Sequence, residues 1–291
     1  MTNKELATEI TNRLVEELEK GVIPWYKPWT GDGNGAVSHT TGRAYSFLNQ
    51  ILLVMQGKSG KEFITFKQCS AEGGKVKKGA KGARIYFWTQ FVKTETNANG
   101  EEEQHTIPVL KHYTVFDIND CDGITAKYAE REVATSSPDD AAEKIVNDYQ
   151  QRENLTINRE QLSNRAFYRP IDDSITVPTI NQFYAVNEFY STLFHEMTHS
   201  TGHASRLARF DASGAVAAFG SDDYSREELI AEIGAACLVN KCGLETPDTF
   251  RNSAAYLQGW SRALKADPML FITAATRAEK AVNYILDGAT A

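Results

Sequence analysis

The sequence predicts an α+β fold in two parts: a small domain of mixed helix and strand over residues 1–130, and a mainly helical domain with a small sheet over 131–291. Three observations carry that expectation. The length, 291 residues, suits two domains of about 100–200 residues each. The β-branched and aromatic segments crowd into the first half, while the second half keeps a helical period nearly to its end. The charge also divides at that point. Residues 1–130 hold 16 Lys+Arg against 16 Asp+Glu, and residues 131–291 hold 15 against 22, so the whole net charge of −7 lies in the second part.

Apolar residues make up 42% and charged residues 24%, a globular composition that excludes a disordered or fibrous chain. No stretch approaches 18 uncharged apolar residues, and acids recur through the first twenty positions. The sequence therefore predicts neither a membrane span nor an export signal, and a cytoplasmic location. Cys69, Cys121, Cys237 and Cys242 include no CxxC pair. They read as small buried hydrophobes of a reduced protein.

The first element is an amphipathic helix, with Leu6, Ile10, Leu14 and Leu18 at every fourth position and Gly21 as its stop. Two prolines hold VIPWYKPW (22–29) extended, and GDGNG (31–35) turns the chain. AYSFLNQILLVMQ (44–56) suits a second helix. EFITF (62–66) and RIYFWTQFV (84–92) read as strands, separated by the basic, glycine-rich loop GGKVKKGAKG (73–82). The polar insert at 97–104 returns the chain through 105–118, which makes a long hairpin. Residues 119–140 read as a linker ending in a helix start, where Pro138, Asp139 and Asp140 suit a first turn. Ala141, Ile145 and Tyr149 continue that helix. Residues 166–178 predict a short hairpin about Asp172 and Asp173, and helix follows from Asn187.

Residues 195–199 read HEMTH. On a helix, positions i and i+4 share a face, so His195 and His199 can aim at one ion. Glu196 falls on the flank as the candidate general base, beside water that a zinc ion would acidify. A catalytic zinc needs a third protein ligand and an open position. EELIAEIG (227–234) places Glu228 and Glu232 one turn apart on another helix, where one can ligate and the other can accept a histidine's remaining N–H. Ser225 three residues before Glu228 also allows a capping box, a purely local use of that carboxylate. His203, in HEMTHSTGH, is the alternative ligand, with a structural or substrate-side role the favoured reading; as a fourth ligand it would close the site and leave the zinc structural.

Residues 58–93 carry nine basic groups opposed only by Glu62 and Glu72, a balance of +7 over 36 residues. Lysines interleave with glycines there and lead into an aromatic strand. Such loops neutralise phosphates, and exposed aromatics stack on bases, as single-strand binders use them. The alternative is that the aromatics form the core of a small domain. Candidate contacts are Trp25, Lys75, Lys77, Lys78, Lys81, Arg84 and Trp88.

Several ordered motifs run through both parts: IPWYKPW (23–29), TGRAYSFLNQILL (41–53), TFKQ (65–68), GGKVKKGAKGARIYFW (73–88), FYSTLFHEMTHSTGHASRLAR (189–209), YSREELIAEIGAA (224–236) and GWSRALKADP (259–268). In these the chain resembles the ArdC-type antirestriction proteins of conjugative plasmids over nearly its whole length. Ser46 stands where that pattern carries glycine. The resemblance implies an N-terminal single-stranded-DNA-binding domain joined to a C-terminal zincin-like metallopeptidase domain. It implies one zinc ion per chain and a protein that shields incoming plasmid DNA from restriction. The motif order is also similar to that of gluzincin peptidases, which implies Glu228 as the ligand and Glu232 as the supporting acid. The competing expectation is a zinc endopeptidase that its basic domain recruits to DNA or to acidic protein substrates. In either case the acidic second part should repel DNA, so the metal cleft is not expected to be the DNA groove.

Overall fold

The computed structural model describes residues 2–24, 35–96, 102–128, 138–183, 185–210, 222–244 and 254–288. Trp25, Tyr26, Trp29, Tyr184, the 31–34 turn and the 97–101 insert lie outside them, as does the side chain of Tyr224.

The helix α1 spans Asn3–Glu19. Thr2 and Glu5 close a capping box at its start, and Leu6, Ile10, Leu14 and Leu18 are all buried. Gly21 turns the chain away at φ +79, a conformation glycine adopts without steric cost. The main sheet has the order β1-β2-β5-β4, with β1 Val37–Ser38, β2 Glu62–Thr65, β4 Ala83–Thr96 and β5 Glu102–Asp117. β4 and β5 form the expected hairpin, antiparallel from Ala83↔Val115 to Thr96↔Glu102.

The helix α2, Phe47–Met55, lies along the free edge of β4 and covers part of it with side-chain amides. Asn49 donates to the Tyr86 carbonyl at 2.8 Å and accepts the Tyr86 N–H at 2.7 Å. Gln56 does the same for Arg84, at 3.0 and 2.9 Å. On the other edge Asn3 engages Pro108 and Leu110 of β5. Backbone groups that would template a foreign strand are thereby paired. Ser46 occupies the N-cap position of α2 at φ −57 without a side-chain capping bond, a backbone conformation that does not require the glycine of the family pattern.

Three elements depart from the sequence expectation. Phe66, read as strand, opens a helix, α3 Phe66–Ala71, because Thr65 and Gln68 form a capping box. The basic loop contains a short strand, β3 Lys75–Val76, which pairs with β6 Cys121–Asp122. Residues 121–128, expected as linker, therefore belong to the sheet domain. The backbone N–H groups of Lys127 and Tyr128 donate to Glu62, at 2.9 and 2.6 Å.

In the second part α4, Pro138–Glu153, precedes a three-stranded sheet of order β7-β9-β8. The hairpin β8 Phe167–Arg169 and β9 Ser174–Thr176 turns about Asp172 and Asp173 as expected. β7, Thr156–Asn158, joins it in parallel. Four helices complete the chain: α5 Val186–Ser200, α6 Asp222–Lys241, α7 Ala254–Ala266 and α8 Leu270–Asp287. No described helix is long and apolar enough to cross a membrane. The four cysteines are buried thiols.

The boundary expected at residue 130 lies outside the described residues. On either side of it, one buried apolar cluster joins Leu6, Ile10 and Leu14 of α1, Leu48 and Ile51 of α2, and Tyr86 and Leu110 of the hairpin to Phe194 of α5, Leu238 of α6 and Phe271 of α8. Helix α1 packs on α7 and α2 packs on α8. Thr11 adds a hydrogen bond to the Pro268 carbonyl at 2.8 Å.

Candidate metal centre

The site begins with a close approach of two helices. Gly234 of α6 faces Thr198 of α5, and a Cβ on residue 234 would meet the Thr198 side chain at 2.7 Å. Only a residue without Cβ lets the backbones come this near. That spacing brings Glu228 of α6 to the face of α5 shared by His195 and His199.

The three donors converge. His195 Nε2 and His199 Nε2 stand 3.0 Å apart. Glu228 reaches His195 Nε2 with one carboxylate oxygen at 3.6 Å and His199 Nε2 with the other at 3.5 Å. Ligands about 2.1 Å from a tetrahedral ion are separated by roughly 3.4 Å, so these gaps fit one first-row ion with a position left over. Among the described residues His195, His199 and Glu228 are the group able to hold a metal. Glu196 is buried beside them.

Glu232 sits on the opposite side of the His195 ring, 3.6 Å from Nδ1. A carboxylate on that side leaves Nε2 as the nitrogen turned toward Glu228. Glu227 does the same for His199, 3.3 Å from its Nδ1. Glu227 is itself gripped by Arg209, which donates from two nitrogens at 3.0 and 2.7 Å. The sequence reading missed both Glu227 and Arg209. The doubled glutamate at 227–228 was the available signal, but its partner arrives only because the chain after α5 folds back. Arg206 anchors that return. It is fully buried, donates to the Ser200 carbonyl at 2.8 Å and pairs with Asp173 at the β8–β9 turn.

Burial disfavours charge on both imidazoles, yet the surrounding carboxylates prevail. His195 is raised by the bond to Glu228 and the charges of Glu232 and Glu196. His199 is raised to about 10, chiefly by Glu227 and Glu228. Burial pushes Glu232 up to about 7, with the charge of Glu228 adding to the rise. Glu228 moves far the other way: its two histidine partners outweigh burial and hold it well below the usual carboxylate range.

Other expected residues fall as follows. α6 starts at Asp222, so Ser225 lies inside the helix and the capping use of Glu228 does not arise. His203 stands beyond the end of α5, its Nδ1 2.7 Å from the Ser205 hydroxyl, outside the converging group. Lys75, Lys78 and Lys81 are exposed. Lys77 is exposed too, though its ammonium donates to the Asn119 carbonyl at 2.7 Å. Arg84 is held by Glu9 through two bonds of 2.7 and 2.9 Å. Trp88 is 42% exposed, on the strand face whose neighbours Tyr86 and Leu110 enter the core. The metal group lies more than 100 positions from these residues, on the other part of the chain.

A histidine pair on one helix and a glutamate on the next define a zincin-like centre, here joined to a sheet domain. Residues 141–277 match the zincin-like metallopeptidase family model, and residues 4–116 match the N-terminal domain of the anti-restriction factor ArdC. The chain belongs to the ArdC antirestriction family. It is 36% identical to the metal-free crystal structure of antirestriction ArdC protein from the R388 plasmid, with a TM-score of 0.74 and 96% of each chain covered. The Mn(II)-bound structure of that protein matches at 33% identity and TM-score 0.74, over 98% of each chain. Among curated relatives, two Escherichia coli proteins named DNA primase TraC are 35% and 34% identical over 97% and 95% of this chain. The chain spans only 27% and 19% of their lengths. An uncharacterized protein y4eC of Sinorhizobium fredii is 27% identical over 98% of the chain and 92% of its own length.

Two predictions follow from this geometry. Gly234→Ala, which in an ordinary helix gains about 0.5–1 kcal/mol, should instead cost about 1–3 kcal/mol here and weaken metal binding, measured by urea unfolding and chelator competition. The second concerns pH. With a folded pKa raised from 6.5 to about 10, charged His199 lends the chelator-treated protein stability that is complete below pH 6.5. That contribution is lost as the pH climbs through 10. An ion needs the neutral ring, so added zinc should raise the unfolding temperature by a margin that widens from pH 6.5 toward 10.

Proposed function

We propose that this chain is a cytoplasmic antirestriction protein that binds single-stranded DNA during conjugative transfer and carries a one-zinc, peptidase-type centre. The observation that carries the reading is the joining, in one chain, of an ArdC-type N-terminal domain with a +7 segment to a zincin-like domain whose motif is intact. DNA binding would rest on the first part, because the net negative charge lies in the second.

In the second part His195, His199 and Glu228 would hold the ion. Two imidazoles and a carboxylate form a donor set that suits zinc and leaves a position open. When bound, such an ion supplies Lewis acidity and a water acidic enough to ionise near neutral pH. The chain's own groups do the rest. Glu196 is the proton acceptor beside the site. Glu227 accepts from the outward nitrogen of His199 and Glu232 faces that of His195 at 3.6 Å, an arrangement that would keep both Nε2 atoms aimed inward. Arg209 neutralises the buried Glu227, so that its charge does not add uncompensated to those of Glu228 and Glu232.

A second reading is favoured by that intact constellation: a zinc endopeptidase acting on a protein partner, with the basic part as its recruiter. Glu196→Gln separates the two. Under the first reading, fluorescence anisotropy should show single strands preferred over duplex. Affinity should fall steeply with salt and be unchanged in Glu196→Gln. Equal or absent binding to the two DNA forms would remove the antirestriction reading. Loss of protection from restriction in Glu196→Gln, with DNA binding intact, would favour the peptidase.

A further inference from the structure

The outer half of the β4–β5 hairpin presents an apolar face that no described element covers. Cross-strand pairs place Ile85 and Tyr113, Phe87 and Lys111, Thr89 and Val109, Phe91 and Ile107, and Lys93 and His105 on one side of the ribbon. At the inner end Ile85 and the neighbouring Ala83 and Val115 are buried with Tyr45, Leu53 and Phe63. Beyond that point the side opens. Tyr113 is 48% exposed, Phe87 40%, Phe91 58% and Ile107 41%. These exposures are large for apolar residues that adjoin one another, a pattern that marks a binding surface. The rings already form a stack-ready row: Phe87 lies 6.0 Å from Tyr113 in an edge-on contact and 6.4 Å from the buried Tyr45.

The chemistry of the row says what it fits. These ten residues hold no acid, the next pair outward on that side being Glu95 and Glu103 toward the hairpin tip, and Lys93, Lys111 and His105 flank the rings. The strand is entered from the +7 segment, whose Lys75, Lys78 and Lys81 are exposed. Rings that offer their faces in a setting of positive charge suit a ligand of alternating bases and phosphates. From Ile85 to Lys93 the row runs about 26 Å at strand rise, enough to hold several nucleotides of an extended strand. The opposite face of the hairpin is unsuited. Tyr86 and Leu110 there are packed in the core with α1, which leaves Trp88 and Val92 exposed at its margin.

We propose that single-stranded nucleic acid lies on this face, with bases stacked on Phe87, Tyr113 and Phe91 and phosphates met by Lys111 and Lys93. The proposal rests on the DNA-binding reading above and moves its centre from the lysine loop and Trp88 to the sheet.

The test is an anisotropy titration of a labelled oligothymidylate of about 12 nucleotides at several salt concentrations. The full-length protein is compared with Phe87→Leu/Tyr113→Leu, Phe91→Ala, Trp88→Leu and Lys111→Ala. The double variant should bind at least tenfold more weakly, with an unchanged salt slope, since stacking releases no counterions. Phe91→Ala, at the most exposed ring, guards against misfolding of the double variant and should lose several-fold. Lys111→Ala should flatten the slope by about 0.7. Trp88→Leu should cost less than the double variant. Wild-type binding that survives both ring variants, or a larger loss from Trp88→Leu, overturns the placement and leaves the DNA-binding reading standing. A wild-type protein that does not bind the oligonucleotide overturns both, and gives the face to a protein partner.

Discussion

The contact between Gly234 and Thr198 sets the distance between α5 and α6, and the metal group exists only at that distance. HEMTH by itself supplies two nitrogens on a helix face. The third donor comes from a helix whose backbone must approach closely enough for a glutamate side chain to span the gap. Glu228 does so with one oxygen on each imidazole. One turn further along the same helix, Glu232 meets the far side of His195. One helix thus brings carboxylates to both imidazoles, and the pairing of the two histidines with three glutamates follows from a single packing decision.

The surroundings are built to hold that decision. Arg206, buried against Asp173 and the Ser200 carbonyl, folds the chain after α5 back on itself. The return places Arg209 on Glu227, and Glu227 on His199. The apolar cluster extends without a break from α5, α6 and α8 to α1 and α2. The helices that grip the hairpin are therefore packed on the helices that build the metal group. The sheet domain and the zincin-like domain share a common core, which ties the position of the hairpin to that of α5 and α6.

Much of this was legible in the amino-acid order, for identifiable reasons. Helical period 3.6 and strand period 2 are local, so α1, α2, the long hairpin and HEMTH could be read directly. EELIAEIG announced an acidic pair at one-turn spacing. What could not be read depended on contacts between distant residues. Glu227 looks like any helix-start glutamate until Arg209 arrives 18 positions away. β7 is three residues long and needs β9 as its parallel partner. α3 was missed for a different reason: its Thr65–Gln68 capping box was present, but the β-branched and aromatic run EFITF outweighed it. The hairpin shows the limit of alternation. It assigns Phe87 and Trp88 to opposite faces, but only the packing of α1 decides which face stays open.

The most direct test of the metal group is the affinity of the purified protein for zinc, measured by competition with a chelating indicator for wild type, Glu228→Gln and Glu232→Gln. The expected result is one ion per chain in wild type. Glu232→Gln should lose about 10–100-fold, the range for an orienting group, and Glu228→Gln should lose more. A greater loss in Glu232→Gln, or an affinity indifferent to Glu228→Gln, would contradict the assignment of Glu228 as the third ligand.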